Sequence, residues 1–454
     1  MSFGAPIPGA ILFGSTMRLA LAVCLIASVC ASSRAATIVV SKNGALNSIQ
    51  AGVDAAQAGD TVLVKAGTYF GVVAIGAAKA GLILKAQGKV VLDARLEDGT
   101  PLGAGIVVDA DDVSIRGIIV RHAQDITGND GDGIRSNNPR TRVEKCQIQR
   151  SEGIAVLLSG ADSLVKNCEF IGNSAGVGID GATGTRIANS RFDRIEGNGI
   201  EIDTTADVVV EQCVFTAFNG SGVAAIGNGP DLVVRKCKFE ALEGGIDVSS
   251  PGARIENNDV RACGFGMGLF ITGGTVRKNK VAQVFTTTEA IGIGNSDDVV
   301  VEDNFVRDAH GAGFATASNS NDCTFRDNKA LRCGGGTFGA FDLAGTGHVL
   351  EDCVALASAT DGFEIASTFT TLTDCVAKNG LIDGFDVENA AGVALNDCVA
   401  TGNGAEGIEN SGGSTALTDC VAKNNRTDVA NNGTFATFDV TFVTGGQAAP
   451  PAIE

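Results

Sequence analysis

Tryptophan is absent from this sequence of 454 residues, tyrosine occurs once and proline only eight times. Histidine is almost as scarce, and His122, His310 and His348 are too scattered for a zinc motif. No Walker A sequence occurs. Basic residues are outnumbered, 34 Lys and Arg against 52 Asp and Glu, which gives a formal charge of -18. That balance excludes a general nucleic-acid-binding role, which needs a basic footprint. It also disfavours unaided binding of a polyanion, because an acidic surface repels an acidic ligand unless a cation bridges them. The apolar run Leu19 to Ala31 is too short to span a bilayer comfortably, so no integral membrane segment is expected.

Glycine, by contrast, occurs 61 times, and a short block returns every 21 to 25 residues. One position of the block is Cys146, Cys168, Ser190, Cys213, Cys237, Asn258, Asn279, Asn304, Asn328, Cys353, Cys375, Cys398 and Cys420. Two residues later stands an apolar partner: Ile148, then Phe170, Phe192, Phe215 and Phe239, then Val260, Val281 and Val306, then Ala330, Ala355, Ala377, Ala400 and Ala422. Such a period means a solenoid, each repeat burying its apolar side against its neighbours. The unbroken repeat argues for one elongated all-β domain of roughly 15–16 coils, about 70–80 Å long at the strand spacing.

The N-terminus reads as an export signal. Met17-Arg18 precedes the apolar run, and Ser33-Arg34-Ala35 offers small residues around a cleavage point. Loss of residues 1–36 removes two Arg and no acid, which takes the charge to -20. A secreted, periplasmic or cell-surface location follows as the expectation. Residues 37–120 form an entry region with first coils, in which Leu46, Ile49, Val53 and Ala56 follow helical spacing. Residues 121–444 hold the repeats, opened by the polar insertion 121–132, and 445–454 read as a disordered tail. Export suggests a disulfide framework, but column residues on consecutive coils stack about 4.8 Å apart. A disulfide wants a Cβ separation of about 3.8 Å. Stacked free thiols are the favoured reading over disulfides or a metal.

A second column runs along the strand that opens each coil. Its outward position aligns as Arg135, Ala155, Asp180, Glu201, Ala224, Asp247, Phe270, Gly292, Ala315, Asp342, Glu364, Asp386 and Glu409. Asp203 and Glu388 lie one step further along the same face, because side chains alternate with period two. Asp180, Glu201 and Asp203 thus make one acidic patch, and Glu364, Asp386, Glu388 and Glu409 another. Stacked like charges cost roughly 0.2–1 kcal/mol per pair. Three readings stay open: a solvated face that keeps the solenoid soluble, a site for a hard cation such as Ca²⁺, or an acid and base pair acting on a glycosidic bond.

The stretch SIQAGVDAAQAGDTVLVKAGTY, residues 48–69, resembles the N-terminal capping segment of right-handed parallel β-helix proteins of the pectate-lyase (pectin lyase-like) superfamily. The later coils are similar to that group's repeat: a Gly-apolar strand, an apolar strand ending in Asn or Cys, then a third short strand. The likeness covers about residues 37–440. It implies a right-handed helix with a short capping helix, and a substrate groove floored by the opening strand. It implies binding of an extracellular polysaccharide, and cleavage by Ca²⁺-assisted β-elimination. Arg135 would be the base, Asp247 and Phe270 would touch substrate, and the two acidic patches would hold the metal. Several family blocks are missing: the WIDH-like segment of pectate lyases, the NTD, GHG and RIK blocks of polygalacturonases, and the DPHD block of alginate epimerases. These absences keep a non-catalytic surface, matrix or adhesion protein open as the alternative. The oligomeric state is not legible.

Overall fold

A computed structural model describes residues 35–443, apart from 127–130, 204 and 228. The expected tail 445–454, most of the export segment and part of the polar insertion therefore lie outside the described residues. From Ala35 onward the chain winds as an all-β, right-handed parallel solenoid of about 17 turns with one α-helix. That is slightly more than the 15–16 coils read from the repeat. The extra winding comes from the entry region, where Thr37–Val40 already pairs in parallel with Thr61–Val64.

A typical coil carries an opening strand (Phe363–Ile365), a middle strand (Thr371–Thr373) and a closing strand (Val376–Lys378). Each pairs in parallel with its counterpart on the next coil. Between middle and closing strands the chain turns on a single left-handed residue, such as Asn167 (φ 55°), Asp352 (φ 53°) or Asp374 (φ 54°). Asn and Asp tolerate that conformation best among residues with a side chain. The next residue, pointing inward, is the Cys/Asn column.

The column satisfies itself internally. Asn258, Asn279, Asn304 and Asn328 form a ladder, each Nδ2 donating to the Oδ1 of the next at 3.0–3.1 Å. The 11 described cysteines are free and buried, as expected of stacked thiols. Several donate to backbone carbonyls, Cys420 Sγ to Leu395 O at 3.3 Å among them.

Core volume is traded between strands along the axis. In the earlier coils Phe170, Phe192, Phe215 and Phe239 stack on the closing strand at 4.6–4.8 Å between rings. A Cβ on Gly176 or Gly199 of the facing opening strands would strike the rings of Phe192 and Phe215 at 2.7 Å. In the later coils the closing strand carries Ala330, Ala355 and Ala377, and the stack moves to Phe314, Phe341, Phe363 and Phe385 on the opening strand. Constant interior density requires such an exchange.

The helix Ile49–Ala55 closes the N-terminal end. Ser48 caps it, its Oγ accepting from Ala51 N–H at 3.1 Å, and Ile49 and Val53 are buried. Leu46 lies before the cap, so the helical spacing read from it belongs to the approaching loop.

Candidate functional site

The ladder of opening strands decides which side chains meet. Its outward register runs Arg135, Leu157, Gly178, Glu201, Ala224, Asp247, Gly268, Gly292, Ala315, Asp342, Glu364, Asp386, Glu409. Three positions aligned from sequence are out by two residues. Leu157 replaces Ala155, Asp180 sits opposite Asp203 instead of Glu201, and Phe270 pairs with Ser249. A slip of two leaves every side chain on the same face, so the hydrophobic alternation does not detect it. Asp180 and Asp203 are both exposed, with Glu201 half-buried on the neighbouring row.

The later acidic patch is in register as read. Asp342, Glu364, Asp386 and Glu409 occupy consecutive coils, all half-buried, and Glu388 is exposed beside them. The structure adds a parallel row that sequence reasoning missed: Asp361, Asp383 and Glu406, at the corner just before each opening strand. The signal was present as Asp361-Gly-Phe-Glu364, Asp383-Gly-Phe-Asp386 and Glu406-Gly-Ile-Glu409. The corner carboxylates have a backbone task. Asp361 Oδ1 accepts from Asp383 N–H at 2.8 Å, and Asp383 Oδ1 accepts from Glu406 N–H at 2.6 Å.

Among the described residues none of these carboxylates forms an ion pair with Arg or Lys. Burial first, with like charge beside it, favours the protonated forms of Asp342, Asp361, Glu364, Asp383 and Asp386. Burial and neighbouring Glu289 and Glu388 push Asp342 to about 6. Burial and Asp342 push Glu364 to about 7, although its Oε2 accepts from Gly339 N–H at 2.7 Å. Burial and Glu409 push Asp386 to about 7. Asp383 rises to about 8 through burial and the neighbouring Glu406 carboxyl. Asp383, Glu406 and Glu409 each bring a carboxylate oxygen within 4.8 Å of the others.

Upstream of the acids the face opens into a groove of about 280 Å³ floored by Gly268, Gly292 and Ala315. Phe270 and Phe338, 46% and 36% exposed, wall it, and Glu289 and Asp342 supply its carboxylates. A Cβ at Gly292 would displace the Glu289 side chain, and one at Gly294 would lie 2.8 Å from the Phe270 ring. Asp247 leans over Gly268 from the previous coil, and burial raises its proton affinity. Arg135 stands far up the ladder, its Nε paired with Asp132 Oδ2 at 2.7 Å.

Three overlapping matches to the family model described as a right-handed beta helix region cover residues 81–260, 226–341 and 272–427. No curated protein matches the sequence. Among solved structures, a PL6 family alginate lyase superposes with a TM-score of 0.49 at 14% identity, covering 88% of this chain and 80% of its own. The A-module of a mannuronan C-5 epimerase from Azotobacter vinelandii gives 0.41 at 13%, covering 89% and 95%. An alginate lyase from Paenibacillus gives 0.37 at 13%, covering 68% and 98%. At such identities the likeness is one of fold alone. With family matches running from residue 81 to 427 along a parallel solenoid of the same extent, the chain belongs to the right-handed β-helix family.

Proposed function

We propose that this protein binds an extracellular polysaccharide along the opening-strand face, with Ca²⁺ held at the acidic end of that face. One observation carries the reading: a groove walled by two exposed phenylalanines runs directly into an unpaired row of carboxylates on the same ladder. Phe270 and Phe338 offer apolar faces to sugar rings, while Glu289 and Asp342 accept hydrogen bonds from hydroxyls. Gly268, Gly292 and Ala315 lie on parallel-paired strands, so little backbone order in the floor is lost on binding.

The donor set fits a hard cation: oxygen ligands only, three within reach of one another, and no ion pair to Arg or Lys among the described residues. Asp383, Glu406 and Glu409 would hold the ion; when bound, it would supply the positive charge that lets an acidic face accept an anionic sugar. Among the described residues Asp180, Glu201 and Asp203 do not gather within the same reach of one another.

A second reading, cleavage, is favoured by Glu364 and Asp386, which exchange protons near neutral pH as a general acid must. For β-elimination, Arg135 would have to leave its ion pair with Asp132.

Affinity electrophoresis through neutral and uronate polymers, with Ca²⁺ or EDTA, tests the proposal while absorbance near 235 nm follows any elimination. Retardation that weakens in Phe270→Ala is the expected result, and Ca²⁺-dependent retardation on uronate polymers supports the metal. Free migration through every polymer overturns the binding reading. A rise in absorbance adds turnover to it.

A further inference from the structure

A different corner of the molecule carries a buried charge that the polysaccharide reading does not use. The side chain of Asp93 is wholly buried, at the end of the strand Ile83–Asp93. Arg95 grips it with two bonds, Nε to Oδ1 at 2.8 Å and Nη2 to Oδ2 at 3.0 Å. Arg121 Nε adds a third to Oδ2 at 2.9 Å, and His122 Nδ1 lies 3.2 Å from the same oxygen. The carboxylate orients the ring so that Nδ1–H donates inward. Nε2 then has no partner among the described residues.

The fold does not require this arrangement. The equivalent corner of later coils is turned by Arg150, Gly172, Arg194 and Ala217, all left-handed, with no buried acid beneath them. Burying a carboxylate among cations costs desolvation that a plain turn avoids.

What the network does is present His122 and Arg95 to a pocket of about 310 Å³. Arg150 lies on its wall, exposed and without an ion pair among the described residues. Of the two acids that line it, Glu152 is already engaged: it accepts from Gln124 Nε2 at 2.9 Å and from Asp125 N–H at 3.3 Å. Glu196 also lines the pocket, and a Cβ on Gly172 would meet open space.

We propose that this pocket is a second ligand site, which takes the anionic group of an acidic saccharide between Arg95 and Arg150. His122 Nε2 hydrogen-bonds the same ligand, and Asp93 acts as the positioning residue behind it. Guanidinium groups suit carboxylate and sulfate alike, so the anion is of either kind. The site is independent of the phenylalanine groove and of any metal.

The test follows the imidazole proton resonances of the intact protein while sodium glucuronate or inorganic sulfate is added, with His122 assigned by its loss in His122→Gln. A saturable shift of the His122 signal is expected, weakened about tenfold or more in Arg150→Ala and unchanged in Phe270→Ala. Response to glucuronate alone assigns a carboxylate ligand, and response to sulfate alone a sulfated one. An unmoved His122 signal with both anions overturns the site. So does a shift that survives Arg150→Ala at full affinity, since Arg150 is exposed and its loss leaves the corner folded.

Discussion

The sequences Asp132-Gly-Ile-Arg135 and Asp383-Gly-Phe-Asp386 occupy the same step of two distant coils. In both, the first acid does the same backbone work, accepting an N–H from the next coil: Ile154 at 2.8 Å for Asp132, Glu406 at 2.6 Å for Asp383. Their electrostatics are opposite. Asp132 meets Arg135 at 2.7 Å. Asp383 has no Arg or Lys ion pair among the described residues, and burial together with Glu406 drives it to about 8. Asp93 extends the contrast: burial alone would raise it, but its hydrogen bonds to Arg95 and His122 outweigh that and hold it at about 2. The coil thus fixes a corner acid for hydrogen-bonding reasons, and the residues around it decide whether that acid is an anchor or an open ligand.

The contrast can be broken hardest at its paired end. Asp93→Ala strips Arg95, Arg121 and His122 of their common acceptor and is expected to cost roughly 2–4 kcal/mol, read from urea unfolding. At the unpaired end, Asp383→Asn keeps the acceptor for Glu406 N–H. It is expected to leave the fold intact but to lower Ca²⁺ affinity about tenfold or more by calorimetry. Ca²⁺ affinity equal to that of the unaltered protein would separate the acidic row from metal binding.

The two ends also respond to pH in opposite directions. Glu364, Asp383 and Asp386 keep protons in the folded state that the unfolded chain releases near the ordinary carboxylate value of about 4. Their contribution is full below that value and lost as pH rises through about 7 to 8. Asp93 does the reverse, its contribution being lost only as pH falls towards about 2. Melting temperature should therefore drop from mildly acidic to mildly alkaline buffer, and the double variant Glu364→Gln, Asp386→Asn should flatten that drop. The smallest effect is expected from Arg135→Ala, about 1 kcal/mol or less by urea unfolding, because Asp132 keeps its backbone donor and the arginine is partly exposed.

Much of the fold was legible because a solenoid repeats its constraints. The Cys/Asn column, the apolar residue two places on and the capping helix all follow from local pattern, and the thiols are free as their stacking implied. The site was legible where coils have equal length. Asp342, Glu364, Asp386 and Glu409 aligned correctly, whereas Asp180 and Phe270 were placed two residues out. Asp361, Asp383 and Glu406 went unread because an acid before Gly looks like turn chemistry. Asp93 was invisible for another reason: Arg121 and His122 are 28 and 29 residues away, a separation set by an irregular corner.

By itself the sequence determined the parallel solenoid, because a period of one coil and an alternation of two along each strand leave few other ways to bury the apolar rows. Only the tertiary structure decided which carboxylates face a cation and which face one another. Proton affinity depends on distances across coils, and those are fixed by turn lengths that carry no charge pattern of their own.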